Sequence, residues 1–121
     1  MRLKNVLVAT DFGKASEAAA DYLAIAEDTK VDADLRNLAL LQSVLHDAER
    51  GDPKTLSDRI APLTGAASPW RHSAKELSAL LAQRMGEKQR ATQMFRELAD
   101  DATAPAGVRA RAAEMTAVLG G

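Results

Sequence analysis

The sequence predicts an all-α fold: antiparallel helical hairpins stacked as a short α-solenoid of about six to seven helices. Three observations carry that expectation. The first is a weak internal repeat. Gly13, Gly51 and Gly86 are each followed five residues later by Ala18, Leu56 and Ala91, and four further on by Tyr22, Ile60 and Phe95. A period of roughly 35–38 residues belongs to helical units that cannot bury their apolar faces alone and therefore stack. The second is composition. The chain is rich in Ala and Leu and holds one Trp, one Tyr and two Phe, which suits closely packed helices; a sandwich or barrel would draw more on β-branched and aromatic residues. The third is apolar spacing of three and four between Gly and Pro punctuation.

Each element follows in order. Residues 2–11 read as a helix with Leu3, Val6, Leu7 and Thr10 on one face. Residues 14–28 place Ala18, Ala19, Tyr22, Leu23 and Ala26 on a stripe. Residues 32–50 form the clearest helix: Asp32 is a suitable N-cap, and Leu35, Leu38, Ala39, Leu41, Leu45 and Ala48 keep helical spacing. Leu40 and Val44 widen that face, as in a central helix with neighbours on two sides. Gly51 is the expected stop, and Asp52-Pro53 the cap-plus-proline start of a helix over 53–64. Pro62 cannot donate to the carbonyl of Asp58 and should kink or end that helix.

Residues 65–68 make a turn, and Ser68-Pro69 repeats the cap-plus-proline start. Trp70, Ala74, Leu77, Leu81 and Met85 then trace a stripe ending at Gly86. Residues 87–101 point Ala91, Met94, Phe95 and Leu98 inward; Pro105 opens a last helix with Val108, Ala112, Met115 and Leu119 on one face. The connections are short, so neighbours should run antiparallel. No low-complexity linker interrupts the 121 residues, and the expectation is a single domain over 1–121.

Composition narrows function. A net charge of −1 gives no global attraction for nucleic acid or acidic membranes. Without cysteine, disulfides, thiol catalysis and Cys-based zinc sites are excluded. No apolar run reaches the roughly 18 residues a membrane span needs, and Val6-Leu7-Val8-Ala9 is too short for a signal peptide.

Chemistry-bearing residues are sparse. His46 and Glu49 are three apart with no second His to complete a metal set, so a solvated edge is expected. His72 is expected as a partly exposed first-turn residue. Glu97, Asp100 and Asp101 form an acidic helix end in a polar stretch that lacks the desolvation acid–base work needs. Ser16, Ser57, Ser68, Ser73 and Ser78 have no nucleophile-elbow context. No catalytic, metal or cofactor residue is assigned. Trp70 serves either as an interface anchor or as a staple of its helix start. Arg71, Lys75, Arg84, Lys88, Arg90 and Arg96 form a modest basic group suited to an acidic peptide or phosphate, without the aromatic platform of a nucleic-acid site. Trp70, Arg71, Lys75 and Arg84 are the candidate protein-binding residues.

Two resemblances add to this. Gly86-Glu87-Lys88-Gln89-Arg90-Ala91 followed by Phe95 resembles the second half of a tetratricopeptide (TPR) repeat. The segments from Ser68 to Leu77, from Asp34 to Leu41 and from Ala104 to Glu114 together resemble the C-terminal half of a bacterial TPR-like family related to the ancillary Sec-translocon subunit. The likeness covers about residues 14–119. It implies a helical repeat domain on the periplasmic side of the inner membrane that assists envelope or secreted proteins by protein contacts, behind a tail and membrane helix this chain lacks. Lys4-Asn5-Val6-Leu7-Val8-Ala9-Thr10-Asp11-Phe12 with Ala15 to Ala19 looks instead like the opening of a universal stress protein, which would put Asp11 near a nucleotide. The later strands and glycine-rich phosphate loop of that fold are missing from the sequence.

The expected function is therefore a non-enzymatic, cofactor-free TPR-like adaptor that binds a protein or peptide, in the cell envelope if an anchor precedes it and otherwise in the cytoplasm. The alternative is a nucleotide-binding stress-type protein. Self-association as a homodimer is expected through the first two helices, where Val6, Leu7, Val8, Ala15, Ala18, Ala19, Ala20, Leu23 and Ile25 outnumber the charges.

Overall fold

The structure is a computed structural model that describes residues 17–120. Among these the chain is all-α, with six α-helices and no strand. Contacts cluster into two compact units divided between Arg50 and Gly51. The expected helix over 2–11, with Leu7 and Asp11, lies outside the described residues, as does Gly13.

In the first unit, residues 17–27 (α1) are helical and Ala33–Asp47 forms α2. Asp28 builds the connection: its Oδ1 accepts from the Lys30 N–H at 2.9 Å and its carbonyl from the Val31 N–H at 3.0 Å. Asp32 caps α2 as expected, accepting the Asp34 N–H at 3.0 Å. The buried face of α2 is Ala39, Leu41, Ser43 and Val44. This corrects the expected stripe, because Leu35 is 57 % and Leu45 52 % exposed. Ser43 can lie on this face because its hydroxyl donates to the Leu40 carbonyl at 2.7 Å and so enters the interior already satisfied. The helix also stops short of Gly51: the Ala48 N–H bonds back three residues to Leu45, and residues 48–50 are a turn.

The second unit starts with α3, Pro53–Ile60. Asp52 Oδ2 accepts from both the N–H (2.9 Å) and hydroxyl (2.7 Å) of Thr55, and proline occupies the first turn, where its missing N–H costs nothing. Pro62 acts as expected: the helix tightens into a 3-10 turn over Ala61–Thr64. Helix α4 spans Arg71–Arg84, α5 Lys88–Asp100 and α6 Ala106–Gly120. Ser68 does not cap α4 directly. Its hydroxyl accepts the Trp70 N–H at 3.1 Å, and the helix begins one residue later. Gly86 ends the α4 turn with φ +79°. Its N–H bonds the Gln83 carbonyl, and the Glu87 N–H bonds the Ala82 carbonyl, each at 3.0 Å. This pair of bonds is the Schellman closure, which needs a left-handed residue where glycine sits.

From α3 to α6 each helix packs chiefly on the next along the chain. Side chains at both ends of α4 fix the direction. Arg84 at its C-terminal end reaches Gly51, just before α3, and His72 at its N-terminal end reaches Asp101, just after α5. Helices α3 and α4, and α4 and α5, thus form antiparallel hairpins. Helix α4 is the central one, buried at His72, Ala74, Leu77, Ser78, Ala79, Leu81 and Ala82 and therefore on more than one face. Ala79 and Ala82 join Ala91, Phe95 and Leu98 of α5, Ala104 of the connecting loop, and Val108 and Ala112 of α6 in one apolar cluster. Alanines on three sides let the helices close around Phe95, which is 1 % exposed. The repeat positions Leu56, Ile60, Ala91 and Phe95 are all buried; Ala18 and Tyr22 are half-buried.

Candidate functional site

A groove of about 420 Å³ runs along one side of the α4–α5 hairpin in the second unit. Three consecutive elements line it. Helix α3 and its 3-10 extension give Ser57, Ala61 and Thr64; α4 gives Lys75 and Ser78; α5 and its end give Arg90, Met94, Glu97, Leu98 and Asp101. The local reasons are simple. Pro62 turns the chain so that Ala61 and Thr64 meet the groove, and the Thr64 hydroxyl donates back to the Ala61 carbonyl at 2.7 Å. Small side chains at Ser57, Ala61 and Ser78 leave room opposite Met94 and Leu98.

His72, Asp101 and Thr103 close one end of the hairpin. His72 is buried, which corrects the expectation of partial exposure. Its Nε2 lies 3.1 Å from Asp101 Oδ2 and 3.2 Å from Thr103 Oγ1. The Thr103 hydroxyl and N–H both donate to Asp101 Oδ1, at 2.6 and 2.9 Å. With the hydroxyl proton committed, both contacts to Nε2 call for a proton on that nitrogen. The Thr103 hydroxyl, then its N–H, then His72 hold the Asp101 carboxyl down at about 2. The expected acidic stretch of Glu97, Asp100 and Asp101 is thus divided: Glu97 and Asp101 line the groove, while Asp100 does not.

The candidate binding residues do not form one cluster. Lys75 lines the groove. Trp70 is half-buried at the helix start, and its indole Nε1 is enclosed without an acceptor among the described residues. The Arg71 guanidinium donates to the Ser68 carbonyl at 3.4 Å. Arg84 lies about 20 Å along the axis from Arg71, given the helical rise, and its Nη1 donates to the Gly51 carbonyl at 2.8 Å. Of the wider basic group, Arg90 joins Lys75 in the groove while Lys88 and Arg96 flank a separate depression beside Leu119. Sequence reasoning missed Met94 and Leu98 as groove residues because both also read as core positions. Arg111 forms a bidentate pair with Glu76 at 2.7 and 3.0 Å, tying α6 to α4; that carboxylate raises the guanidinium's pKa.

In the first unit, Tyr22, Ile25, Val31, Leu35, Leu38, Ala39 and Gln42 line a more apolar depression. His46 is exposed and stacks on Tyr22, with ring centroids 5.3 Å apart. Among the described residues no three His, Cys, Asp or Glu side chains are grouped for a metal ion, and no helix is long and apolar enough to cross a membrane. In comparison with known proteins, no family model, no curated protein and no solved structure matches this chain.

Proposed function

We propose that this protein is a non-enzymatic adaptor whose second unit holds a peptide segment of a partner protein in the groove beside α4 and α5. The observation that carries the reading is the lining: α5 supplies an apolar floor, Met94 and Leu98, small side chains of α3, its 3-10 extension and α4 stand opposite, and four charged side chains form the rim. Such a mixture orients a peptide through its edges while apolar contacts supply affinity. The resemblance to TPR-like envelope proteins supports a setting on the periplasmic side of the inner membrane when an anchor accompanies the domain, and a cytoplasmic one otherwise. Peptide display against the full chain tests the groove, with Met94→Arg as the blocked control. Sequences enriched on the wild type and lost on the variant support the reading. Identical enrichment on both, with the variant folded by circular dichroism, overturns it.

A second reading concerns self-association. Ile25 and Leu35 are exposed beside the apolar depression of the first unit, which favours a homodimer through the first helices. Light scattering across a hundredfold concentration range tests it, and a monomer throughout rejects it.

A further inference from the structure

The groove carries its charges in an order, and that order constrains its occupant. Arg90 lies near the start of α5, Met94 near its middle, and Glu97, Leu98 and Asp101 toward its end, with Leu98 between the two carboxylates along the axis. The helical rise places Glu97 about 10 Å and Asp101 about 16 Å from Arg90 along the axis. Because α4 runs antiparallel, Lys75 sits at the level of Glu97 rather than of Arg90. The Arg90 end is therefore cationic, and the far end holds two carboxylates against one ammonium.

Arg90 and Glu97 are open to a partner. Arg90 pairs with Glu87 at 2.9 Å, but the two side chains are 57 % and 44 % exposed and the pair is of the weakly held surface kind. Glu97 accepts one neutral bond, from Gln93 Nε2 at 3.3 Å. Asp101 lines the end of the groove as a carboxylate whose oxygens are shared with Thr103 and His72, a negative charge fixed in place. A polyanion in this groove would meet two carboxylates, and a polycation would meet Lys75 and Arg90.

We propose that the groove takes an amphipathic segment of mixed charge: an acidic side chain at the Arg90 end, apolar side chains over Met94 and Leu98, and a basic side chain at the Glu97–Asp101 end. The proposal rests on the groove being a peptide site. It replaces the acidic or phosphate partner that the basic group of the sequence suggests, because that group is dispersed over separate faces. Like charges brought together at a docked interface are selected against, and matched ones are favoured.

The test uses the full chain and three labelled peptides of about twelve residues, long enough to follow the groove as a helix. They share an apolar centre and carry Glu and Lys, Glu and Glu, or Lys and Lys at the two flanks. Fluorescence anisotropy at physiological ionic strength should rank the mixed peptide at least about tenfold above both others. Arg90→Glu should shift the preference to the double-Lys peptide, and Glu97→Lys to the double-Glu peptide. Both positions are exposed, so the folds should persist, with circular dichroism as the check. Equal binding of all three peptides, or preference for a single-sign peptide, overturns the charge order and leaves the groove a peptide site. If a display-selected peptide binds while the mixed peptide does not, the charge order also falls. If neither binds, the peptide site falls with it.

Discussion

Replacing Phe95 with alanine tests the helical stack at its most enclosed point. The ring is 1 % exposed and sits among Ala79, Ala82, Ala91, Leu98, Ala104, Val108 and Ala112. Burying a phenylalanine removes about 150–250 Å² from water, which at about 25 cal/mol per Å² is about 4–6 kcal/mol. Retaining the alanine methyl brings the expected loss to about 3–5 kcal/mol. Five of these seven are alanines, which have no rotamers with which to collapse into the cavity, while Leu98, Val108 and the Leu80, Met94, Met115 and Leu119 side chains packed against the cluster can relax only in part. Urea unfolding followed by far-UV circular dichroism gives the loss, and the single tryptophan, Trp70 on the neighbouring α4 start, gives an independent probe. Against a domain stability of about 5–15 kcal/mol, the variant should sit near the edge of folding. Phe95→Leu, which keeps most of the volume, should lose less than about 1.5 kcal/mol and provides a folded reference. A Phe95→Ala loss under about 1 kcal/mol would refute the packing argument, since no buried ring among rigid neighbours can be removed so cheaply.

Three further outcomes are expected. Asp101 has a folded-state pKa of about 2 against 3.8 unfolded, so its stabilisation is complete above 3.8 and lost as pH falls toward 2; the melting temperature of the wild type should fall more steeply over that window than that of Asp101→Asn, and parallel profiles would reject the Thr103–Asp101–His72 arrangement. Gly86→Ala should cost about 1–2 kcal/mol in urea unfolding, from left-handed backbone alone, because a Cβ there meets nothing within 4 Å; a cost under about 0.3 kcal/mol would mean the Schellman closure is absent. Trp70→Phe should change stability by less than about 1 kcal/mol, since the enclosed indole N–H has no acceptor to lose, whereas a loss above about 2 kcal/mol would mean the N–H is bonded.

Most of the fold was legible because its signals are local. Asp32, Asp52-Pro53, Pro62, Gly86 and Pro105 each act within one turn of where they stand, and they set the helix boundaries to within a few residues. The stripe of α5 was legible too, since Ala91, Phe95 and Leu98 need only one partner surface. Helix α2 was harder. Eight apolar side chains fill most of its circumference, so periodicity alone could not choose the buried arc, and the arc that is buried includes a serine satisfied against its own backbone. The site was legible least. His72 and Asp101 are twenty-nine residues apart, and only the antiparallel return of α5 brings them together. The basic group looked continuous in sequence, yet helical rotation sends Arg84 to α3 and leaves Lys75 in the groove.

The groove and the tethers of α4 belong to the same design. One end of α4 is held to the α5–α6 connection by His72, Asp101 and Thr103, and the other to the start of α3 by Arg84 and Gly51. Each tether joins a side chain to a group that follows or precedes a helix, so it fixes where the helix ends meet without filling the space between them. With both ends set, the room beside the middle of α4 depends on side-chain volume alone. On the α6 side that volume is completed by Phe95, and the space is closed. On the α3 side Ser57, Ala61 and Ser78 are too small to reach Met94 and Leu98, and the space stays open. The same central helix thus presents a filled face that holds the unit together and an underfilled face free to take a partner's side chains. Asp101 belongs to both, as a tether to His72 and as the end of the groove. Loss of its charge should therefore loosen the hairpin and weaken binding together, whereas Arg90 and Glu97, which tether nothing between helices, should affect binding alone.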